Sequence, residues 1–444
     1  MLMRSVLLLL SALTGVEGLF FGNWHWLEGT NKLFGETIRG DGDQFGHSVA
    51  IYEDTLVVGA YEASAQGDGS GAVYVFRKDP DDDLVWIKDS RLLAPDGGRG
   101  DNFGWSVAIQ ENLIIVGAQK QTPSEGEREQ GAVYVFDATS LALIQKIEAP
   151  DAGAGDFFGF SLGLDLPVLA VGVPFDNNGI VDKGGSVYTY FYNGATFDYT
   201  EKLVTTEDTA VDDYFGFQVA VSNKTLVATA PGDDDIGSAY VYVTEDFMTW
   251  TQQTRFTSRH ARRGDDFGRA VALEGDLIVV GAEQNIALPS LIVSIIPQFL
   301  TDLFNLFAEN LGIAYVFTRE DGEWTEAHHI RPHVGFYNQA FARSLAIKDQ
   351  TLYIGCPSAT RFIDNRVLGG VVYVYSPLGP RLRHWVKTAH LTPADLQNFD
   401  DFGHSIAAYN GTLVVGSRQE DQQGEDAGAA YTFFNDDLII GSEA

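Results

Sequence analysis

A corner of the Phe-Gly type recurs seven times along this chain, at Phe45-Gly46, Phe103-Gly104, Phe158-Gly159, Phe215-Gly216, Phe267-Gly268, Phe341-Ala342 and Phe402-Gly403. By subtraction, the spacings are 58, 55, 57, 52, 74 and 61 residues. Each corner opens the same sentence: a short apolar strand, a two-residue turn, a second apolar strand ending in Gly-Ala or a variant of it, then a Gly-Ala-Val-Tyr-Val-Phe-type strand. A fixed period of more than about 50 residues written in strands alone reads as a β-propeller. The fold expected is all-β: a seven-bladed β-propeller of four-stranded antiparallel blades. The interval of 74 marks an insertion within one blade.

Repeat 1 shows the logic. Ser48 to Ile51 forms strand a, Glu53-Asp54 the turn, Thr55 to Val58 strand b, Gly71 to Phe76 strand c and Trp86 to Leu93 strand d. Strands b and c are near-continuous apolar runs, which suits strands buried on both faces between neighbouring blades. The a–b turns include Asn410-Gly411, a strong two-residue hairpin signal; repeat 3 departs with Leu166-Pro167. The last repeat ends at strand c. The segment Lys32-Leu33-Phe34 before repeat 1 resembles Arg91-Leu92-Leu93 before repeat 2, so an N-terminal strand is expected to serve as strand d of the last blade and leave no free edge. Asp437 to Ile440 could fill that slot instead.

The N-terminus reads as a targeting segment. Arg4 gives a positive start, Val6 to Leu10 an apolar stretch, and Val16-Glu17-Gly18 a small-residue cleavage site, so residues 1–18 are expected to be a signal peptide and residues 19–444 a single propeller. The apolar stretch falls short of the roughly 20 residues that span a bilayer. The chain carries a net charge of −32, which removal of Arg4 and Glu17 would leave unchanged. That charge disfavours nucleic acid and anionic lipid and suits cations, basic partners or solubility. The single cysteine, Cys356, occupies the Ala slot of a corner and reads as a small buried hydrophobe.

The Phe-Gly corners, together with Gly59-Ala60, Gly117-Ala118, Gly172-Val173-Pro174, Thr229-Ala230-Pro231, Gly281-Ala282, Gly355-Cys356-Pro357 and Gly416-Ser417, resemble the FG-GAP repeats of the integrin α-subunit N-terminal propeller, and more closely the stand-alone secreted type. The resemblance covers nearly all of the chain after residue 18 and implies a propeller fold. Integrin-type calcium loops lie between the two corners; here that interval is a two-residue turn with no room for the several oxygen ligands Ca²⁺ takes. The family's calcium role is therefore not transferred to those positions.

In a four-stranded meander the d–a connectors and b–c loops share one face, and the a–b turns and c–d loops the other. The first face collects acidic loops, including Asp176-Asn177-Asn178, Glu420-Asp421 and Asp233-Asp234-Asp235. Asp233 and Asp235 are the candidate Ca²⁺ ligands there, beside the reading of a solvated loop. The same face carries Arg39-Gly40-Asp41, Arg99-Gly100-Asp101 and Arg263-Gly264-Asp265, a tripeptide integrins read, although repeat 3 puts Ala154-Gly155-Asp156 in the slot, which points to a turn requirement. The insertion, Gln284 to Leu311 with its amphipathic part at 285–310, belongs to the b–c loop of repeat 5. After Pro297, the stripe Gln298, Asp302, Asn305 and Glu309 opposes apolar residues at helical spacing. It is expected to pack over the channel or a blade, or to offer Phe299, Leu303, Phe304 and Phe307 as a docking patch. The opposite face carries two glycosylation sequons, at Asn223 and Asn410.

Ser161 falls in Gly159-Phe160-Ser161-Leu162-Gly163, a Gly-x-Ser-x-Gly match, but it lies at the repeat's own corner and strand a, not at the strand-to-helix turn of a nucleophile elbow. His328, His329 and His333 lack a companion Cys or Asp at ligand spacing. The function expected is a secreted or cell-surface binding or adhesion module that recognises a protein or glycan through loops on one face, without catalytic residues. The alternatives are a propeller hydrolase or lyase at the channel mouth, and an acidic matrix or cell-wall component. Three or more polar or titratable side chains converging at the mouth would favour the enzyme; an apolar plug would oppose it. The sequence leaves the oligomeric state open.

Overall fold

Long apolar runs that alternate with two-residue turns can only be satisfied by strands packed on both sides, and seven stacked four-stranded sheets result. The structure is a computed structural model that describes residues 26–27, 31–35, 42–122, 129–177, 181–205, 210–257, 264–283, 312–332, 336–337, 340–361, 369–379, 384–397 and 399–435. The signal-peptide reading, the insertion with Phe299, Leu303, Phe304 and Phe307, and Asp437 to Ile440 lie outside the described residues.

In blade 1, strands a to d are Ser48–Tyr52, Thr55–Ala60, Ala72–Asp79 and Asp82–Leu92. They pair antiparallel in that order, as do the strands of blades 2 to 6. Strand b of every blade is almost wholly buried, as in Leu113–Ala118 and Leu277–Ala282. The apolar core divides by interface: seven clusters each draw on two adjacent blades. The cluster holding Phe45, Leu56 and Tyr74 of blade 1 also holds Val414, Ala430 and Phe434 of blade 7, so the first and last blades touch as any other pair does.

Ring closure follows the expected route. In blade 7 the N-terminal strands Trp26–Leu27 and Lys32–Leu33 pair antiparallel with strand c, Ala429–Asn435. Lys32 lies opposite Tyr431, as Lys146 lies opposite Tyr134, Lys202 opposite Tyr188 and Arg255 opposite Tyr240 in strands d of blades 2 to 4. The N-terminal segment is therefore the missing strand d in register as well as in place.

The corner Phe packs against that strand-c Tyr in all seven blades, with ring centroids 5.4 to 5.8 Å apart, mostly edge to face. Edge-to-face pairs of this kind contribute about 0.5–1.5 kcal/mol beyond their buried area. A cation covers the other side of the Tyr in six blades: Lys88, Lys146, Lys202, Arg255, Lys387 and Lys32.

Small groups weld one blade to the next. Ser48, Ser106, Ser161, Ser344 and Ser405 each donate a hydroxyl hydrogen bond, of 2.7 to 2.9 Å, to the carbonyl of the corner Gly in the following blade. For Ser405 that acceptor is Gly46, which closes the circle. The corner needs glycine: Gly46 has φ +89°, and a Cβ there would sit 2.3 Å from the Ala429 carbonyl oxygen. In blade 6 Ala342 takes this place at φ 66°, accepting a left-handed conformation that costs a non-glycine residue about 1–2 kcal/mol.

Candidate functional site at the mouth of the channel

The residue after each corner Gly is large in every repeat: His47, Trp105, Phe160, Phe217, Arg269, Arg343 and His404. The Phe is buried between blades and the Gly turns the chain, so this side chain arrives at the start of the innermost strand. All seven line one cavity of about 430 Å³ on the ring axis, at the face of the d–a connectors. The interblade Ser residues lie among its deeper lining.

The seven side chains run almost continuously around the mouth. Ring centroids are 5.0 Å apart for His404–His47, 4.5 Å for His47–Trp105, 5.5 Å for Trp105–Phe160 and 5.1 Å for Phe160–Phe217. Arg269 then stacks its guanidinium 4.8 Å from the centre of Phe217. Arg343 donates to Glu283 at 3.2 Å, and Arg269 lies 3.7 Å from the same carboxylate. One arc is aromatic and the other is cationic or imidazole.

Residues just after strand b form an outer tier. Tyr61 lies 4.4 Å from His47, and Phe175 lies 5.9 Å from Phe160. Arg418 reaches the cavity wall while its Nε donates to Asp401 at 2.8 Å. His404 Nδ1 is 3.6 Å from the same carboxylate. Glu283 is the last described residue before the insertion.

The electrostatics of the mouth follow from burial and crowding. Burial, His404, Arg418 and Arg343 hold His47 well below the usual imidazole value. Burial drives His404 down to about 4 against the pull of Asp401, so both imidazoles are neutral at pH 7. Burial and the neighbouring Arg343 lower Arg269. Burial raises Asp401, but His404 and Arg418 outweigh it and keep the carboxyl ionised. Glu283, Asp266 and Asp401 stand behind the guanidinium groups, and the described lining residues include three arginines, two histidines and no carboxylate.

The sequence-stated candidates sit elsewhere. Asp233 and Asp235 form a 3₁₀ turn with buried Asp233 held by protein groups. Its Oδ2 accepts from the Tyr240 hydroxyl at 2.6 Å and lies 2.9 Å from Arg255. Among the described residues, no three His, Cys, Asp or Glu side chains are placed to hold a metal ion. Asn223 and Asn410 are exposed in the a–b turns of the opposite face. His328 and His329 stack at 6.0 Å, away from the mouth.

Of the three Arg-Gly-Asp slots, Arg39-Gly40-Asp41 has its Asp outside the described residues, and the acidic members of the other two turn inward. Asp101 is buried and accepts the Gly98 N–H at 2.7 Å, and Asp265 is buried as well. Asp156, Asp213 and Asp400 repeat this lock on Gly153, Ala210 and Gln397. The slot serves a buried turn, which is why repeat 3 keeps the Asp and drops the Arg. Cys356 is fully buried, and burial pushes its thiol up.

Seven blades, one axial cavity and a split ring of side chains define a propeller with a site at one end of its channel. The family model for the FG-GAP repeat matches residues 39–76, 86–136, 142–190, 199–242, 250–287 and 385–433, more than half of the chain, and this protein belongs to that family. The unmatched stretch before residue 385 contains the first three strands of blade 6, whose corner is Phe341-Ala342. No curated protein matches the chain. Among the described residues, no helix is long and apolar enough to cross a membrane.

Proposed function

We propose that this protein is a secreted or cell-surface binding module that recognises an extracellular protein or glycan through the face carrying the channel mouth. The observation that supports this reading is the convergence of seven large side chains from seven blades on one 430 Å³ cavity, a size within the roughly 300–1,000 Å³ of ligand pockets. Tightly packed strands hold these side chains, so the site is preformed and a ligand pays little ordering cost. The acidic exterior keeps the module soluble.

Catalysis at the mouth is the second reading, favoured by five titratable lining groups. The Ser hydroxyls in the lining are already donated to backbone carbonyls, which counts against a serine nucleophile. Binding of the mature chain to arrays of glycans and extracellular proteins tests the proposal, with and without EDTA. Changing the mouth (Trp105→Ala) is expected to abolish capture, whereas changing the opposite face (Asn223→Gln with Asn410→Gln) leaves it intact. The reverse pattern overturns the proposal, and loss with EDTA alone would return the site to the acidic loops around Asp233 and Asp235.

A further inference from the structure

The cavity's chemistry narrows what it takes. This chain has 61 acidic residues against 29 Lys and Arg, yet Arg269, Arg343 and Arg418 reach the cavity while their partners Glu283 and Asp401 are not among its described lining residues. Each guanidinium has five N–H donors, and the contacts to Glu283 and Asp401 fix its plane while leaving donors for a ligand. Arg343 and Arg269 share Glu283 at 3.2 and 3.7 Å, with Asp266 also near them; the two guanidinium groups still stand together at the cavity, and an incoming anion would relieve their mutual repulsion. The buried Nδ1 of His47 has no hydrogen-bond partner among the described residues. Opposite this arc stand Trp105, Phe160 and Phe217, which offer flat apolar area at low entropic cost.

Resting on the reading of the mouth as the binding site, we infer that the ligand carries a carboxylate on a six-membered ring: a uronic-acid sugar or an aromatic acid. The carboxylate sits among Arg269, Arg343 and Arg418, with bidentate geometry available to a guanidinium. The ring lies against Trp105 and Phe160. An acidic peptide would satisfy the cationic arc but bring no rigid ring face to the aromatic one.

Titration calorimetry on the full mature chain separates these possibilities, using methyl β-glucuronide, methyl β-glucoside, benzoate, acetate and N-acetylglutamate as probes. Saturable binding of the glucuronide or benzoate is expected, with the glucoside and the two ring-less acids at least about tenfold weaker, or 1.4 kcal/mol. Preference between glucuronide and benzoate tells sugar from aromatic acid. Arg343→Gln is expected to weaken the ring acids about tenfold while leaving the glucoside unchanged; Trp105→Ala weakens both. Arg418→Gln serves if Arg343→Gln fails to fold, as judged by near-UV circular dichroism. Equal binding of glucoside and glucuronide, lost in Trp105→Ala, would overturn the inference and keep the mouth as the site. Equal binding of acetate or N-acetylglutamate would overturn the ring requirement. No binding by any probe would overturn the inference, and binding unchanged by all three variants would overturn both it and the reading beneath it.

Discussion

Replacing Lys32 with Met removes one charge from the seam where the ring closes and keeps most of the side-chain stem. Lys32 lies 2.7 Å from Glu420, whose side chain is 1% exposed, and 2.8 Å from Asp395, which is half exposed. It also covers the Tyr431 ring at 5.2 Å. The Asp395 contact is worth under about 1 kcal/mol, and the cation–π contact about 0.5–1 kcal/mol. The main loss is at Glu420, because removing one partner of a buried pair costs about 3–5 kcal/mol. Glu420 keeps one bond, from the Gln422 N–H at 3.1 Å, so the total should fall near the lower end, at about 3 kcal/mol. The companion change Glu420→Gln removes the stranded charge, and the double variant should recover at least half of the loss. Urea unfolding followed by tryptophan fluorescence reads all three variants against the parent. A Lys32→Met midpoint within about 0.5 kcal/mol of the parent would refute the placement of this strand in the last blade. So would a double variant whose cost is the simple sum of the two single ones, since coupled groups depart from additivity.

Other consequences follow from the same geometry. Gly416→Ala would put a Cβ 1.9 Å from the Gly46 carbonyl oxygen, part of another blade's backbone, so soluble expression should collapse; Gly100→Ala, with φ +81° but nothing within 4 Å, should cost only about 1–2 kcal/mol. Burial pushes Asp156, Asp213 and Asp400 up to about 6. Their folded-state values lie above the unfolded one, so their share of stability is full below about pH 4 and is lost as pH rises through about 6. Carboxyl NMR should find three aspartates titrating near 6, and titration of all of them below 4.5 would contradict the burial argument. Asp156→Asn keeps an acceptor for the Gly153 N–H and should cost less at pH 7 than Asp156→Ala, which strands that N–H at about 1–3 kcal/mol; thermal unfolding compares the two.

Much of the ring was legible because its causes are local. The Phe-Gly corners, the two-residue turns and the doubly buried runs of strands b and c recur in sequence and in structure alike. The placement of Lys32-Leu33 as strand d was readable from its likeness to Arg91-Leu92, and the register against Tyr431 gives the reason. The site was less legible. The residue after each corner Gly differs in chemistry from blade to blade, so no repeat pattern marks it. Its signal, a large side chain in all seven copies, gains meaning only when the blades bring positions some 360 residues apart around one axis. Asp233 drew attention as part of an acidic run, and burial beside Arg255 and Tyr240 was invisible until strands c and d were paired. The turn role of the Arg-Gly-Asp slots was readable from repeat 3, whereas the partner of Asp101, a backbone N–H three residues back, came only with the fold.

Quenching of Trp105 fluorescence tests the account most directly. Trp105 stands within the mouth beside His47 and on the cavity lined by Arg269, Arg343 and Arg418, and its signal is isolated by difference from Trp105→Phe. A protein of net charge −32 should on average concentrate cations at its surface. If the mouth is a built anion site, iodide quenches the Trp105 component more strongly than caesium at equal, low ionic strength, and added salt narrows the gap. Stronger quenching by caesium would contradict the account.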